Sequence, residues 1–180
     1  ATRRAFELDE LTGAARSDEP LRLALRGRAE GRLSYSLRID GGTLRLLQDG
    51  AEPWPFTLDI KASGARLHAG GELDTGRGEA RFHVDADADD LARAGRLLGA
   101  KLPQAGAAAV SGNVVARADA VALTKLQGVL GESEFSGQLA LALGGARQRL
   151  SGALSVAALD LRPWLDIWVP QLVGPSGSSA

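Results

Sequence analysis

The feature that most constrains the fold of this chain is a strand pattern that occurs twice in its second half. Residues 134–141 (EFSGQLAL) and 149–156 (RLSGALSV) both alternate large apolar residues with small or polar ones. A period of two places the apolar residues on one face of a β-strand and the polar ones on the other. Each copy also carries a glycine at an apolar-face position, where a sheet becomes thin or bent. The pattern predicts a long apolar surface built from repeated hairpins, which is typical of a scaffold.

The same alternation continues through most of the chain. It is clearest at residues 33–39 (LSYSLRI), and the following residues 40–42 (DGG) predict a hairpin turn into a strand over 43–47. Residues 53–55 (PWP) predict a loop, because neither proline has an N–H to donate to a ladder. Further strands are predicted over 6–11, 21–26, 56–61, 65–73, 80–86, 108–117, 121–127, 135–143 and 149–159.

One segment has helical spacing instead. Residues 90–99 place apolar side chains every three or four positions, with Asp89 or Asp90 as the N-cap, Gly99 as the stop and Pro103 beyond it. A last helical turn is predicted over 163–168, where Trp164 and Trp168 would stack one turn apart. These two tryptophans are expected to cap the end of the sheet, and a foot at a membrane interface is the alternative.

About ten strands against one main helix predict an all-β fold, an antiparallel meander in sequence order. A sandwich or a closed barrel could use the same pattern. The low aromatic content of 4% and the apolar-face glycines favour an elongated, curved open sheet, a taco-like β-groove. Residues 1–173 are predicted to form a single domain, and residues 174–180 (GPSGSSA) a flexible tail or added linker. The chain lacks methionine and begins at Ala1, so we expect a fragment of a longer protein.

Composition excludes several classes of function. A formal net charge of −1 argues against binding to nucleic acid, which needs surplus basic residues. The absence of cysteine rules out disulfides, cysteine-zinc sites and thiol catalysis. No apolar run reaches the roughly 18 residues needed for a membrane-spanning helix.

The candidate catalytic and metal sites are weak. The acidic run 85–90 lacks the sixth-position glycine and twelfth-position glutamate of a calcium loop. His68 and His83 fall on the polar phase of their strands, without further obvious metal ligands. Ser133 lies in GESEF, which lacks the second glycine of a nucleophile elbow. We therefore predict no enzyme activity, no metal and no cofactor, and we rank an esterase as unlikely.

Three segments carry a resemblance to a known family. Residues 89–103 (DDLARAGRLLGAKLP) resemble the short helix and LLG-x-x-LP exit of AsmA-family proteins. Residues 129–139 (VLGESEFSGQL) are similar to the G-x-S-x-x-x-G-x-L strand of that family, and RLSGAL at 149–154 and LDL at 159–161 follow as they do there. The order and spacing agree over residues 89–161, and none of these motifs is catalytic.

The resemblance implies a location and a function. AsmA-like proteins are held in the inner membrane of Gram-negative bacteria by an N-terminal helix and carry a periplasmic body, so we expect this sequence to be a part of such a body without its anchor. They are related to bridge-like lipid-transfer proteins, whose repeated β units form an apolar groove. The implied partners are phospholipid and the inner membrane, and the implied role is phospholipid traffic or outer-membrane homeostasis.

Sheltering acyl chains fits the alternation, since each methylene removed from water is worth about 0.8 kcal/mol. Two alternatives stay open: the apolar faces could pack on each other as a closed core, and the protein could be an envelope scaffold or assembly factor that binds a protein partner. The residues predicted to line a groove for lipid are Leu21, Leu23, Leu25, Leu33, Tyr35, Leu37, Ile39, Phe56, Leu58, Ile60, Phe82, Val84, Phe135, Leu139, Leu141, Leu143, Leu150 and Leu154.

Overall fold

The computed structural model describes residues 6–29, 33–98, 106–144 and 148–157. This part of the chain forms ten strands and two short helices. The strands are β1 (Phe6–Ala14), β2 (Pro20–Ala29), β3 (Leu33–Thr43), β4 (Trp54–Ala62), β5 (Ala65–Asp74), β6 (Glu79–Ala88), β7 (Ala108–Arg117), β8 (Ala120–Leu130), β9 (Ser133–Ala142) and β10 (Arg149–Val156). The helices are α1 (Leu44–Asp49) and α2 (Leu91–Leu98).

All ten strands belong to one sheet, whose spatial order is the order of the chain from β1 to β10. Every neighbouring pair is antiparallel. Among the described strands β1 does not pair with β10, so the sheet is open. The predicted all-β curved open sheet is confirmed, and the sandwich and barrel alternatives are wrong.

Two β-bulges keep the apolar side chains on one face at the points where the alternation of apolar and polar residues shifts by one position. In β1 the register shifts between Leu8 and Glu10, so that Leu8 and Leu11, three residues apart, share one face. In β8 it shifts between Leu123 and Leu126, and Lys125 takes a positive φ of 50° inside the bulge. An extra residue in one strand restores the alternation beyond it. Both bulges therefore keep leucines on the same side of the sheet.

The predicted hairpin at residues 40–42 is wrong. Gly41 stays in β3, paired with Phe56, and an added Cβ on it would lie 2.2 Å from the indole of Trp54. The glycines therefore do not form a turn; they leave space for the indole ring of Trp54. The predicted strand 43–47 is replaced by α1, because the Thr43 side chain accepts a hydrogen bond from the amide of Leu46, and Gly50, in the left-handed conformation, ends the helix.

The predicted loop at residues 53–55 is also wrong, since β4 begins at Trp54 and includes Pro55. The ladder between β3 and β4 ends at the Gly41–Phe56 pair, and Pro55 lies just beyond it, paired with Glu72 of β5. One edge of β4 is locally free there, and a free edge is where a strand tolerates proline.

The predicted helix at 90–99 is confirmed as α2. The Asp90 side chain accepts a hydrogen bond from the amide of Arg93 at 3.0 Å, which makes Asp90 the N-cap. The amide of Leu91 donates to the carbonyl of Gly106 at 3.0 Å and ties the helix to the start of β7. The predicted stop at Gly99 and Pro103, the end of the last strand at 159, the turn at 163–168 and the tail at 174–180 lie outside the described residues.

Candidate functional site

The cross-strand register separates the sheet into two chemically different faces. Residues directly opposite each other in an antiparallel pair point to the same side. The pairs Leu25–Leu37, Leu37–Ile60 and Ile60–Leu67 therefore place one apolar row across β2 to β5. The same step from strand to strand continues to β10. We call this side the apolar face and the opposite side the polar face.

Nearly all residues that the sequence predicted to line a groove lie on the apolar face. Leu21 lies at the irregularity between Pro20 and Arg22, where no partner is assigned to it, and Leu143 lies one residue beyond β9. The others share the face through direct register: Leu23, Leu25, Leu33, Tyr35, Leu37, Ile39, Phe56, Leu58, Ile60, Phe82, Val84, Phe135, Leu139, Leu141, Leu150 and Leu154.

The apolar face also contains large residues that the prediction missed. Their alternation was equally visible, but β1, β5, β7 and β8 were not assigned to the lining. The missed residues are Leu8, Leu11, Trp54, Leu67, Leu73, Val110, Val114, Val121, Leu123, Leu126, Leu130 and Val156. No Asp, Glu, Lys or Arg faces this side in the described register, and its polar side chains there are Tyr35 and Ser133.

The apolar face is not sealed. Among the described residues the buried hydrophobic side chains are Trp54, Ala69, Ala88 and Leu126, and no large side chain is fully buried. The leucines, isoleucine residues and valines in the middle of the face are half-buried. A packed core would bury such residues almost completely. The predicted open surface is thus present, and the closed-core alternative is wrong for the described residues.

Glycines on the apolar face mark where the sheet bends. An added Cβ on Gly71 would lie 2.1 Å from the carbonyl oxygen of Arg81, and one on Gly27 would lie 2.2 Å from that of Glu7. At Gly128 the carbonyl of Ala109 would be 2.7 Å away. In each case the backbone of the neighbouring strand lies where the glycine's Cβ would be, on the apolar side of the sheet. The neighbouring strand is therefore tilted toward that side, and the sheet bends toward its apolar face. Glycine kinks of this kind are how sheets acquire curvature.

The same glycines accept large side chains from directly paired positions. Tyr35 lies on Gly27 and Phe135 on Gly128. Phe56 and Phe82 flank Gly71 from both neighbouring strands, and their rings meet edge to face with centroids 5.9 Å apart. These aromatic side chains therefore pack directly on the backbone of the sheet, and the rest of the apolar face stays accessible.

The two edges of the sheet are apolar and exposed. Leu8 and Leu11 in β1 are 54% and 57% exposed, and Leu150 and Leu154 in β10 are 69% and 54% exposed. β1 is interrupted by its bulge and carries acidic residues, two devices that discourage further pairing. β10 pairs with β9 in an uninterrupted register and contains neither proline nor lysine. Within the described ranges no strand pairs with its other edge.

The polar face carries ion pairs and both histidines, as the sequence predicted. Asp59 Oδ1 lies 2.8 Å from His68 Nδ1, and Asp85 lies 3.2 Å from His83 Nε2. His83 Nδ1 donates to Asn113 Oδ1 at 2.8 Å in the tautomer that suits an amide oxygen. The hydrogen bond to Asn113 has the largest effect on His83 and raises its pKa; desolvation opposes this, and the negative charge and hydrogen bond of Asp85 raise the pKa by smaller amounts.

This raised pKa predicts a pH dependence of stability. A group whose pKa is higher in the folded state stabilises the fold fully below its unfolded pKa, about 6.5 for histidine, and loses that contribution as the pH rises through the folded value. We expect the melting temperature to fall between pH 6 and pH 8 more steeply in the wild type than in His83→Gln. Asn113→Ala should flatten the profile in the same direction. A wild-type profile parallel to that of His83→Gln would contradict this assignment.

Two cavities open on the polar face. One, of about 630 Å³, lies over β6 to β10 among acidic and hydroxyl side chains that include Asp87, Ser111 and Glu134. The other, of about 540 Å³, lies beside the turn between β4 and β5 at Ser63 and Gly64. The concavity of the apolar face is that of a bent sheet, whereas these two solvent-open cavities lie on the opposite side.

Metal and membrane-spanning features are lacking in the described part of the chain. No group of three or more histidine or acidic side chains there is arranged to hold a metal ion. Neither of its helices has the length and apolarity needed to cross a bilayer. No protein-family profile, curated protein or solved structure matches this chain. The resemblance to the AsmA family stays a prediction.

Proposed function

We propose that this protein is a non-enzymatic lipid-handling module that binds phospholipid acyl chains along its apolar face. In agreement with its resemblance to the AsmA family, we propose that it acts in the periplasm as part of a protein anchored in the inner membrane, in the maintenance of the outer membrane. The observation that carries the proposal is an apolar face ten strands wide that no second layer of described residues covers.

The size of the apolar face supports this proposal. Nine spacings of about 4.8 Å separate β1 from β10, so the face is roughly 43 Å wide, and a ten-residue strand is about 33 Å long. This exceeds by far the few hundred Å² of continuous apolar surface that a soluble monomer usually exposes. Each methylene that the face shelters contributes about 0.8 kcal/mol, so an acyl chain of ordinary length has room and a driving force to bind.

The chemistry of the face favours alkyl chains over a protein surface. Protein interfaces carry about one hydrogen bond per 100–200 Å² and commonly use arginine among their anchors. The apolar face offers only Tyr35 and Ser133 as polar side chains in the described register, and the Tyr35 hydroxyl already donates to the carbonyl of Glu7 at 3.3 Å. An acyl chain needs none of these groups.

Lipid extraction followed by mass spectrometry tests the proposal. Protein purified from a bacterial envelope without detergent should carry phospholipid at a stoichiometry near or above one, and native mass spectrometry should show the added mass. A protein that remains free of lipid after incubation with phospholipid vesicles would contradict it.

A charge in the centre of the apolar face should abolish binding. Leu58 lies between Ile39 and Ala69, so Leu58→Asp would place an unpaired carboxylate against the acyl chain and reduce copurifying lipid about tenfold or more. The matched control is Thr57→Asp, one residue away on the polar face, which should retain lipid. Circular dichroism verifies that both variants fold, and equal lipid content in the two would argue against the apolar face as the site.

A second candidate function is that of an envelope scaffold, and the free edge of β10 favours it. In the described part of the chain nothing pairs with the outer edge of this strand, which also carries exposed leucines, the arrangement used for β-strand addition by a partner. Deuterium exchange distinguishes the two functions. A protein partner would protect the β10 amides, whereas acyl chains would leave these edge amides exchanging.

A further inference from the structure

Opposite charges face each other across most of the polar face. Directly opposed pairs are Glu10–Arg26, Arg22–Asp40, Arg38–Asp59, Glu72–Arg81 and Glu79–Arg117. Such pairs stabilise a sheet, whereas like charges directly opposite destabilise it. The polar face therefore follows a consistent rule of charge complementarity from β1 to β7.

Two described pairs break this rule, and one of them is compensated. Asp74 faces Glu79, but the buried Glu79 carboxylate forms ion pairs with both Arg81 and Arg117, and Asp74 forms one with Arg77. The two negative charges are thus neutralised by three arginines.

The other exception, Lys61 opposite Arg66, is not compensated. The two side chains leave adjacent positions of β4 and β5, about 5 Å apart at their Cβ atoms for such a pair. Neither cation forms an ion pair or hydrogen bond in the described structure, although Asp87 lies opposite Arg66 on β6. No described carboxylate lies within ion-pair distance of either cation, so an anion placed between them would be attracted by both.

These two cations line the 540 Å³ cavity on the polar face. Three hydroxyl side chains, Ser34, Ser36 and Ser63, line it with them, and Ser36 is the direct neighbour of Lys61 on β3. Arg28 also lines the cavity but is committed to Asp9 through two hydrogen bonds of 3.1 Å. The volume lies within the range of small-molecule sites, about 300–1,000 Å³.

We propose that this cavity is a binding site for a phosphate group, held by Lys61 and Arg66. A guanidinium offers two parallel donors to a phosphate, an ammonium adds a compact charge, and the Ser34 and Ser36 hydroxyls can donate to the remaining oxygens, since the Ser63 hydroxyl already donates to the carbonyl of Ser34 at 3.4 Å. The carboxylates of Asp87 and Asp89 also line the cavity. They repel a bare polyanion but accept hydrogen bonds from hydroxyl or ammonium groups. The ligand is therefore a phosphoester of a small hydroxylated or amine-bearing group, either a soluble metabolite or a lipid headgroup.

Thermal unfolding of the whole chain tests the site. The wild type should melt at a higher temperature in sodium phosphate than in sodium chloride of equal ionic strength and pH. Lys61→Gln and Arg66→Gln should each weaken phosphate binding about tenfold and lose this shift. In chloride Lys61→Gln should melt no lower than the wild type, because it removes the repulsion, and Arg66→Gln should melt close to the wild type, because the lost repulsion offsets the lost attraction to the facing Asp87. The matched control Arg149→Gln removes an unpaired cation from β10 on the same face and should keep the full shift.

A second titration identifies the source of the phosphate. Tighter binding of glycerol 3-phosphate than of inorganic phosphate would assign the site to a phosphoester such as a headgroup, and equal binding would assign it to the free ion. The proposal is overturned if neither compound shifts the wild-type melting temperature, or if Lys61→Gln and Arg66→Gln respond as strongly as Arg149→Gln. It is independent of the acyl-chain proposal, which concerns the other face.

Discussion

Gly71→Ala is expected to lower the melting temperature by about 6–12 °C, corresponding to about 3 kcal/mol for a chain of this length. The added methyl carbon would lie 2.1 Å from the Arg81 carbonyl oxygen and 2.5 Å from the Phe82 Cα. Both are backbone atoms of β6, so a rotamer change cannot relieve the overlap. The neighbouring strand must move, and the contact between Phe56 and Phe82 above Gly71 must open. Thermal and urea denaturation measure the loss.

Gly70→Ala is the matched control. Gly70 is the preceding residue in β5, on the polar face, and an added Cβ would meet Thr57 at 3.6 Å, an ordinary contact distance. Replacing glycine with alanine inside a strand removes backbone entropy from the unfolded chain, so this variant should be unchanged or more stable by about 0.5–1 kcal/mol. If the two alanine variants had the same stability, the bend toward the apolar face at Gly71 would be refuted.

Trp54→Ala should destabilise the protein by about 3–5 kcal/mol, a large part of the stability of an ordinary domain. Trp54 is only 7% exposed, stacks on Phe56 with a centroid distance of 6.4 Å, and covers Gly41 and its neighbour. Its indole Nε1 donates to the carbonyl oxygen of Thr43 at 3.0 Å. Removing the ring empties the space of the largest buried side chain among the described residues and releases the residue that caps α1.

Trp54→Phe separates packing from hydrogen bonding. The phenyl ring retains most of the apolar contact but cannot donate to Thr43, so we expect a loss of about 1 kcal/mol beyond that of the reduced ring size. Hydrogen exchange at the Leu46 amide, which donates to the Thr43 hydroxyl at 3.2 Å, reports on α1 directly. Equal stability of the alanine and phenylalanine variants would show that the ring does not organise this end of the sheet.

The two faces of this single sheet differ in chemistry: one carries apolar side chains and the other carries charged and polar ones. A sandwich uses one side of each sheet to make a core, whereas here no second layer of described residues covers the apolar face and the polar face is left in water. Stability then depends on contacts between neighbouring strands, such as the aromatic side chains lying on glycines. This explains why single substitutions at Gly71 and Trp54 are expected to have large effects although few side chains are fully buried.

The strand alternation was enough to predict the all-β class, the sides of the sheet and the helix α2, because these depend on periods of two and 3.6 residues and on local caps. It failed at residues 40–55, where a distant ring decides the conformation. Gly41 resembles a turn residue in sequence, but the indole of Trp54 occupies the space above it.

Only the pairing of strands decided that the sheet stays open, that β1 and β10 are its edges and that Lys61 faces Arg66. The physical reason is the distance along the chain over which each kind of interaction acts. A side chain's face follows from its nearest neighbours along the chain, and the sequence by itself determined it. Register, bulges and closure depend on backbone hydrogen bonds and contacts between strands, which no local pattern contains.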